Sequence, residues 1–420
     1  MRIKEPAPNG RDAKRGLQGA QVPFPVSGHT SAPFALLSKM PLLVFDSNIS
    51  RNNPIGSCLL NMLLPLVGRW PMHVFVNKTD LPDGAFVRKT KIPLPRGPVF
   101  ARVILYTLFS SCASAISGST QPNLRISSEG AFPFSEISYV QFCHRFFLSH
   151  HRDALAGSWL RRWARLITHT WDAAMEKIAL RSARTVVVPS RGLAHELEAQ
   201  YPELVRGKIR IIPNPVDVDS FSRPQDYSSS PILSQFNIPP DALVLSFCAL
   251  GGFERKGLRV VLEALAGFED RCVHLLVIGG SPGEIREYQM LSDQLGVGES
   301  VHFAGLQRDI RPYLWASRAF VFPSAYEGFA LACLQAAAAG LPLITTSING
   351  IEEFIKDGVN GWIVDRTARS VQAAIRDAGS SLERTALLGE AAKRDVQVYR
   401  QEIFQARWLE LLQRECHSHA

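Results

Sequence analysis

The sequence predicts an α/β protein of two parallel-sheet domains facing each other across a cleft. Three observations carry that prediction. In the second half, six apolar runs stand at 243–250, 274–280, 300–306, 319–324, 341–347 and 361–365, with helical segments between them. Strands alternating with helices form βαβ units, which build a parallel sheet covered on both faces. In the first half a less regular alternation runs from Pro41 to Asn214. Between the halves, RPQDYSSSPILSQFNIPP clusters Pro and Ser without a period and reads as a linker. A length of 420 residues fits two to three domains of roughly 100–200 residues each.

The elements follow in order. Residues 1–39 are rich in Pro, Gly, Ser and basic residues and lack the apolar core of a signal peptide. They read as a disordered or variable arm, with Met40 a candidate alternative start. PLLVFDSNI (41–49) is a strand ending in polar residues, SCLLNMLLPLV (57–67) a helix, and MHVFVNK (72–78) a second strand. VILYTLFSSCASAI (103–116) is shorter than the ~20 apolar residues that span a bilayer, so it reads as a buried helix, with a membrane-dipping helix as the alternative. YVQFCH (139–144) is a third strand. A long helix from about Asp153 to Ser182 carries WLRRWARL. TVVVPS (185–190) and KIRIIPN (208–214) are strands on either side of a helix. The expected division is an arm at 1–39, a domain at 40–222, a linker at 223–240 and a second domain at 241–398. A last helix, 399–420, is expected to cross back to the first domain.

Composition narrows the class. Hydrophobic residues make up 46%, which excludes disordered, collagen-like and low-complexity chains. The net charge of +8 is uneven, with 28 basic and 16 acidic residues before Pro231. A basic first half suggests an anionic partner. Seven widely spaced cysteines without C-x-x-C argue against a disulfide framework or zinc site and for a reducing, cytoplasmic compartment. The N-x-[ST] matches at Asn48 and Asn77 read as chance.

Parallel sheets place ligand chemistry at the carboxyl ends of their strands. After FVFPS comes AYEGFALACLQAAAAG, in which Glu327-Gly328 forms a turn before an Ala-rich helix. The helix start offers backbone N–H groups to a phosphate, and Glu327 offers an acceptor to sugar hydroxyls. Glu327 fits equally well as an acid complementing the helix dipole. After LVLSFCAL, Arg255-Lys256 place two cations suited to a diphosphate, or to a solvated turn. His144 follows YVQFC, either as a substrate-facing group or as a structural histidine. His150-His151 lack a third ligand at metal spacing. Asp217-Val218-Asp219 reads as a turn leaving the domain rather than a metal motif.

Read together, these segments resemble the retaining GT-B glycosyltransferases of the group 1 / family 4 type. PSAYEGFALACLQAAAAGLPLI (323–344) is similar to the family's acid, Gly-Phe, seven residues, second acid, small-residue helix signature. VVVPS, KIRIIPNPVDVDSF, FERKGL, VHFAGL and INGIEEFIKDGVNGWIV match in the family's order. The resemblance implies GT-B, two Rossmann-like α/β/α domains across a cleft, with the nucleotide-sugar mostly on the second. It implies that Glu327 and His144 act at the donor sugar, and that Arg255 and Lys256 bind the diphosphate. Gly328, Phe329, Ala330 and Leu331 would form the anion turn, Leu306 would sit near the base, and Gln335 near the ribose. No metal and no other cofactor is implied, and no nucleic acid partner. Three departures stand out. Gln335 replaces the second acid, Gly251 stands where an Arg is frequent, and DSNISRNNPIGS (46–57) has one glycine in a loop usually rich in them.

The implied activity is hexosyl transfer from a nucleotide-diphosphate sugar to a glycan or lipid-linked acceptor in cell-surface polysaccharide synthesis. Alternatives are a catalytically silent binding module, or another reaction of this fold such as epimerisation. Trp and Arg in WLRRWARL pair as interfacial segments do, which predicts peripheral contact with an anionic membrane.

Overall fold

The computed structural model describes residues 40–95, 97–116, 123–152, 159–269 and 272–418. The arm expected at 1–39 and the start, 153–158, of the long helix expected from about Asp153 lie outside the described residues. Nine short strands belong to the first half: β1 Leu42–Phe45, β2 Asn48–Ile49, β3 Met72–Val76, β4 Lys78–Thr79, β5 Val87–Lys91, β6 Leu124–Ser128, β7 Ile137–Tyr139, β8 Thr185–Val188 and β9 Ile209–Ile211. Seven of them form a parallel sheet in the order β5-β3-β1-β6-β7-β8-β9, while β2 and β4 pair separately. The second sheet contains β10 Leu243–Ala249, β11 Val273–Gly279, β12 Val301–Gly305, β13 Ala319–Phe322, β14 Leu343–Thr345 and β15 Gly361–Ile363. It is also parallel, in the order β12-β11-β10-β13-β14-β15. All six apolar runs of the second half become strands of this sheet.

In both sheets the first strand is internal, and the chain winds to one edge before returning to build the other. Such a reversal leaves a crevice at the strand ends where the winding changes direction. In the first sheet it lies between β1 and β6. In the second it lies between β10 and β13, so the loops after Ala249 and Phe322 meet there.

The helices that position the site are α1 Pro54–Leu63, α2 Val99–Ile116, α3 His144–His150, α4 Trp159–Ser182, α5 Arg191–Gln200, α6 Val218–Phe221, α7 Ser230–Gln235, α8 Leu331–Ala338 and α9 Gln401–His417. Phe404, Trp408, Leu411 and Leu412 of α9 join the core formed by Leu42, Val44, Leu124 and Tyr139 of the first sheet. The Trp408 ring meets Tyr139 edge to face at 5.1 Å. Ile232 and Leu233 of α7, within the Pro/Ser-rich stretch, pack on the second sheet.

Three expectations are corrected. The third strand ends at Tyr139, not at His144. Val140 N–H still donates to Val187 O. The Gln141, Cys143 and His144 amides go instead to Glu129, Tyr326 and Glu176 side chains, which peel the chain off the sheet. Two strands escape the apolar pattern: β5 is the charged edge sequence VRKTK, and β6 is the short LRISS. Helix α2 is not a buried helix. Tyr106 is buried with its hydroxyl on Phe75 O at 2.7 Å, whereas Val99, Leu108 and Phe109 are exposed. Among the described residues no helix is long and apolar enough to cross a membrane.

Candidate active site

Backbone geometry assembles the second-domain side first. Gly257 has φ +85°, and a Cβ there would lie 2.2 Å from Pro323 O. Only glycine lets the loop after β10 approach the loop after β13 this closely. Ala325 N–H then donates to Arg255 O at 2.8 Å, locking the two loops together.

Three donors converge on one oxygen of Glu327. Arg255 reaches Oε1 at 2.8 Å, Lys256 at 2.9 Å and the Ser324 hydroxyl at 3.1 Å. Arg255 also donates to Tyr326 O. Burial alone would push the Glu327 carboxyl up, but the two cations outweigh it and hold the group below its ordinary value. The result is an ionised carboxylate beside two cations at the reversal point, an arrangement that can offer an acceptor to hydroxyls and two cations to an anion.

Helix α8 starts beside this triad. The Leu331 N–H is already committed to Phe329 O at 3.0 Å, so the anion turn narrows to the Phe329 and Ala330 amides. Gln335 is half-buried one turn into the same helix. Leu306 follows the edge strand β12 and is exposed. Gly328 owes its identity to a different cause than a tight turn. A Cβ there would stand 1.7 Å from Gln141 O, so the first domain presses directly on this loop.

On the first-domain side, His144 is not isolated at a strand end. It opens α3 and is buried in a cluster of ionisable groups. Its Nδ1 lies 3.0 Å from His169 Nδ1 and 3.8 Å from Asp172, and its Nε2 lies 3.4 Å from Glu129. Its backbone N–H donates to Glu176 at 2.8 Å. Burial disfavours the charged ring, yet Glu129, Asp172 and Glu176 together raise its pKa. Burial pushes Asp172 up to about 6 and Glu176 up to about 7, against the pull of His144. Burial, His144 and Arg255 push His169 down to about 3. Glu129 carries a left-handed φ of +50°, a strained conformation for a residue with a side chain.

Neither Glu129 nor the α4 triad was named from sequence. His169, Asp172 and Glu176 recur at three- and four-residue intervals, which places them on one helical stripe, and that spacing was the available signal. Glu129 had none, because only the fold brings it to His144. The domains also meet through Tyr326, whose hydroxyl donates to Glu196 of α5 at 2.6 Å. Asn349 donates to the other oxygen of Glu196 at 2.6 Å.

Asp217 and Asp219 serve structural ends. Asp217 caps α6 by accepting from Ser220 N–H, and Asp219 takes a two-pronged contact from Arg400 at 2.8 and 2.9 Å. Among the described residues, no group of three or more His, Cys, Asp or Glu is placed to hold a metal. Trp159, Trp163, Leu166, Arg152 and Arg162 surround a hollow of about 300 Å³ at the start of α4.

Comparison with known proteins places both halves. Residues 243–380 match the glycosyl transferases group 1 family, and residues 60–220 match glycosyltransferase family 4. The lipopolysaccharide core biosynthesis glycosyltransferase LpsE of Rhizobium meliloti is 35% identical over 151 residues, 34% of this chain and 43% of that one. The matched stretch thus spans less than half of this relative. Among solved structures, WaaG, a glycosyltransferase involved in lipopolysaccharide biosynthesis, superposes with a TM-score of 0.71 at 16% identity, covering 88% of this chain and 99% of that one. HepE of Anabaena in complex with UDP-glucose superposes with a TM-score of 0.63 at 17% identity, covering 89% and 99%. These likenesses share the two-domain GT-B fold.

Proposed function

The chain belongs to the glycosyltransferases of group 1 and family 4, and from that premise we propose that it is a retaining hexosyltransferase. The donor is a nucleotide-diphosphate sugar, and the acceptor is a glycan or lipid-linked glycan of cell-surface polysaccharide synthesis. One observation carries this reading: Arg255 and Lys256 converge on Glu327 at the reversal point of the second sheet. An arriving diphosphate takes the two cations, and Glu327, kept ionised, accepts hydroxyls of the donor sugar. UDP-glucose bound by the structural neighbour HepE is consistent with such a donor.

The chemistry is a same-face substitution. The acceptor oxygen bonds to the anomeric carbon as the bond to the diphosphate oxygen breaks. The departing diphosphate takes the acceptor proton, and configuration is retained. Arg255, Lys256 and the Phe329 and Ala330 amides stabilise the charge that develops on the leaving group. These groups supply the positive charge that a metal would otherwise bring, so we assign no metal to the reaction. His144, on the opposite wall, faces the donor sugar, with Glu129 and His169 fixing its ring.

The test is turnover of a panel of labelled nucleotide-sugars by the full chain, with the anomer of the product read by NMR. Turnover with retained configuration is expected, and Glu327→Ala should lower it by about 100-fold or more. Unchanged activity in that variant would remove Glu327 from the site.

We further propose a cytoplasmic protein in peripheral contact with an anionic membrane. Leu108 and Phe109 are exposed on α2, and the exposed Arg102, seven residues before Phe109, lies on the same stripe as that ring. Apolar side chains beside a cation suit a headgroup boundary. Raising the salt should release the protein from anionic vesicles, and retention through the wash would count against this contact.

A further inference from the structure

We propose that the hollow at the start of α4 is an acceptor subsite that takes a saccharide segment carrying phosphate or carboxylate groups. The proposal rests on the transferase reading and names the class of acceptor.

The hollow is built from unlike parts. Trp159 and Trp163, one helical turn apart, line it with Leu166, and Arg152 and Arg162 complete the wall. The two indoles are 69% and 59% exposed, whereas Trp70, Trp362 and Trp408 are buried in the core. Exposed indoles carry a large unsatisfied apolar surface, and their flat faces suit the C–H faces of sugar rings. Two guanidiniums beside them match the planar, paired oxygens of phosphate or carboxylate. The volume of about 300 Å³ sits at the small end of ligand pockets, which run roughly 300–1,000 Å³. A concave wall suits a discrete group, whereas the open face of α2 suits a surface.

Continuity with the cleft decides what the occupant is for. Leu166 also packs on the cluster of Phe147 and Tyr326, and Tyr326 immediately precedes Glu327. Three residues after Leu166 comes His169, in contact with His144. From Trp163 to His169 the helix rises by about 9 Å. A saccharide anchored at the indoles therefore runs along α4 and delivers its far end to the His144 wall, opposite the donor triad. The basic excess of the first half gains a specific role at Arg152 and Arg162.

The experiment titrates the full chain with three probes: trigalacturonate, maltotriose phosphate and neutral maltotriose. Tryptophan fluorescence and calorimetry read binding. Either anionic trisaccharide should bind about tenfold or more tightly than maltotriose, since a charge-assisted contact distinguishes them. Arg162→Ala should erase that preference, and Trp163→Leu should weaken all binding. Arg152→Ala is the second test if either variant melts early. The two anionic probes separate phosphate from carboxylate. Equal affinity for neutral and charged probes, or no binding of any, overturns the proposal. So does Arg162→Ala reducing attachment to phosphatidylglycerol vesicles while leaving the trisaccharide titrations unchanged, since the hollow would then be a membrane contact. Calorimetry with UDP-glucose and GDP-mannose on the same sample keeps the two readings apart. Loss of donor binding defeats the transferase reading, whereas donor binding without anionic trisaccharide binding defeats the subsite alone.

Discussion

Glu327 and Glu176 are both carboxylates with little exposed surface, one on each side of the cleft, yet their surroundings drive them in opposite directions. Glu327 has two cations within 3 Å and stays ionised despite burial. Glu176 shares a single histidine with Glu129 and Asp172, and burial pushes it up to about 7. Burial outweighs the pull of His144 at both Asp172 and Glu176, so these two carboxyls are favoured in their protonated forms while Glu327 is favoured as the anion. The second-domain wall thus keeps a fixed charge at Glu327, while the first-domain wall holds carboxyls pushed up to about 6 and about 7 at Asp172 and Glu176.

Among substitutions that leave the ionisable groups of both walls in place, the largest effect should come from wedging the walls apart. Gly328→Ala places a methyl group 1.7 Å from Gln141 O, a backbone atom of the other domain that cannot swing aside. Transfer should fall by about 10–100-fold through misplacement of the reacting groups. Steady-state kinetics on the variant would check this, and an unchanged kcat/KM would show that the domains need not close this far.

A smaller effect separates the walls by pH. Glu176 and Asp172 have raised values in the fold, about 7 and about 6, and His144 is also raised. Each is favoured in its protonated form, so each contributes stability that is present at acid pH. That contribution is lost as pH rises through the folded value. For Glu327, held low, the sign reverses: its contribution is present above the ordinary carboxylate value and is lost as pH falls through the lowered one. Glu176→Gln keeps an acceptor for the His144 amide while removing the ionisation. It should be near-neutral at pH 4 and stabilising by roughly 1–3 kcal/mol at pH 8. Thermal melts across that range would read the difference, and a constant offset would contradict the assignment.

The same contrast explains what was legible in the amino-acid order. Arg255-Lys256 and Glu327-Gly328 are adjacent pairs, each standing just after an apolar strand, and strand ends are where this topology gathers ligands. The second-domain wall could be read locally for that reason. The first-domain wall draws Glu129, His144 and the α4 stripe from separate elements, and the charged edge VRKTK and the short LRISS hide two strands of that domain. His144 itself was found, but as a lone residue at a strand end. The amides that leave the sheet for Glu129, Tyr326 and Glu176 could not be anticipated, because their partners come from distant positions. The reason for Gly328 was likewise invisible, since the carbonyl it accommodates belongs to the other domain.

The central claim is that Arg255 and Lys256, released from Glu327, receive the diphosphate of the donor. Calorimetric titration of the full chain with UDP and GDP, repeated on Lys256→Ala, tests it most directly. At least one nucleoside diphosphate should bind, and the variant should bind it about tenfold or more weakly, as expected for a lost charge-assisted contact. Undiminished affinity in Lys256→Ala would place the diphosphate elsewhere and contradict the account.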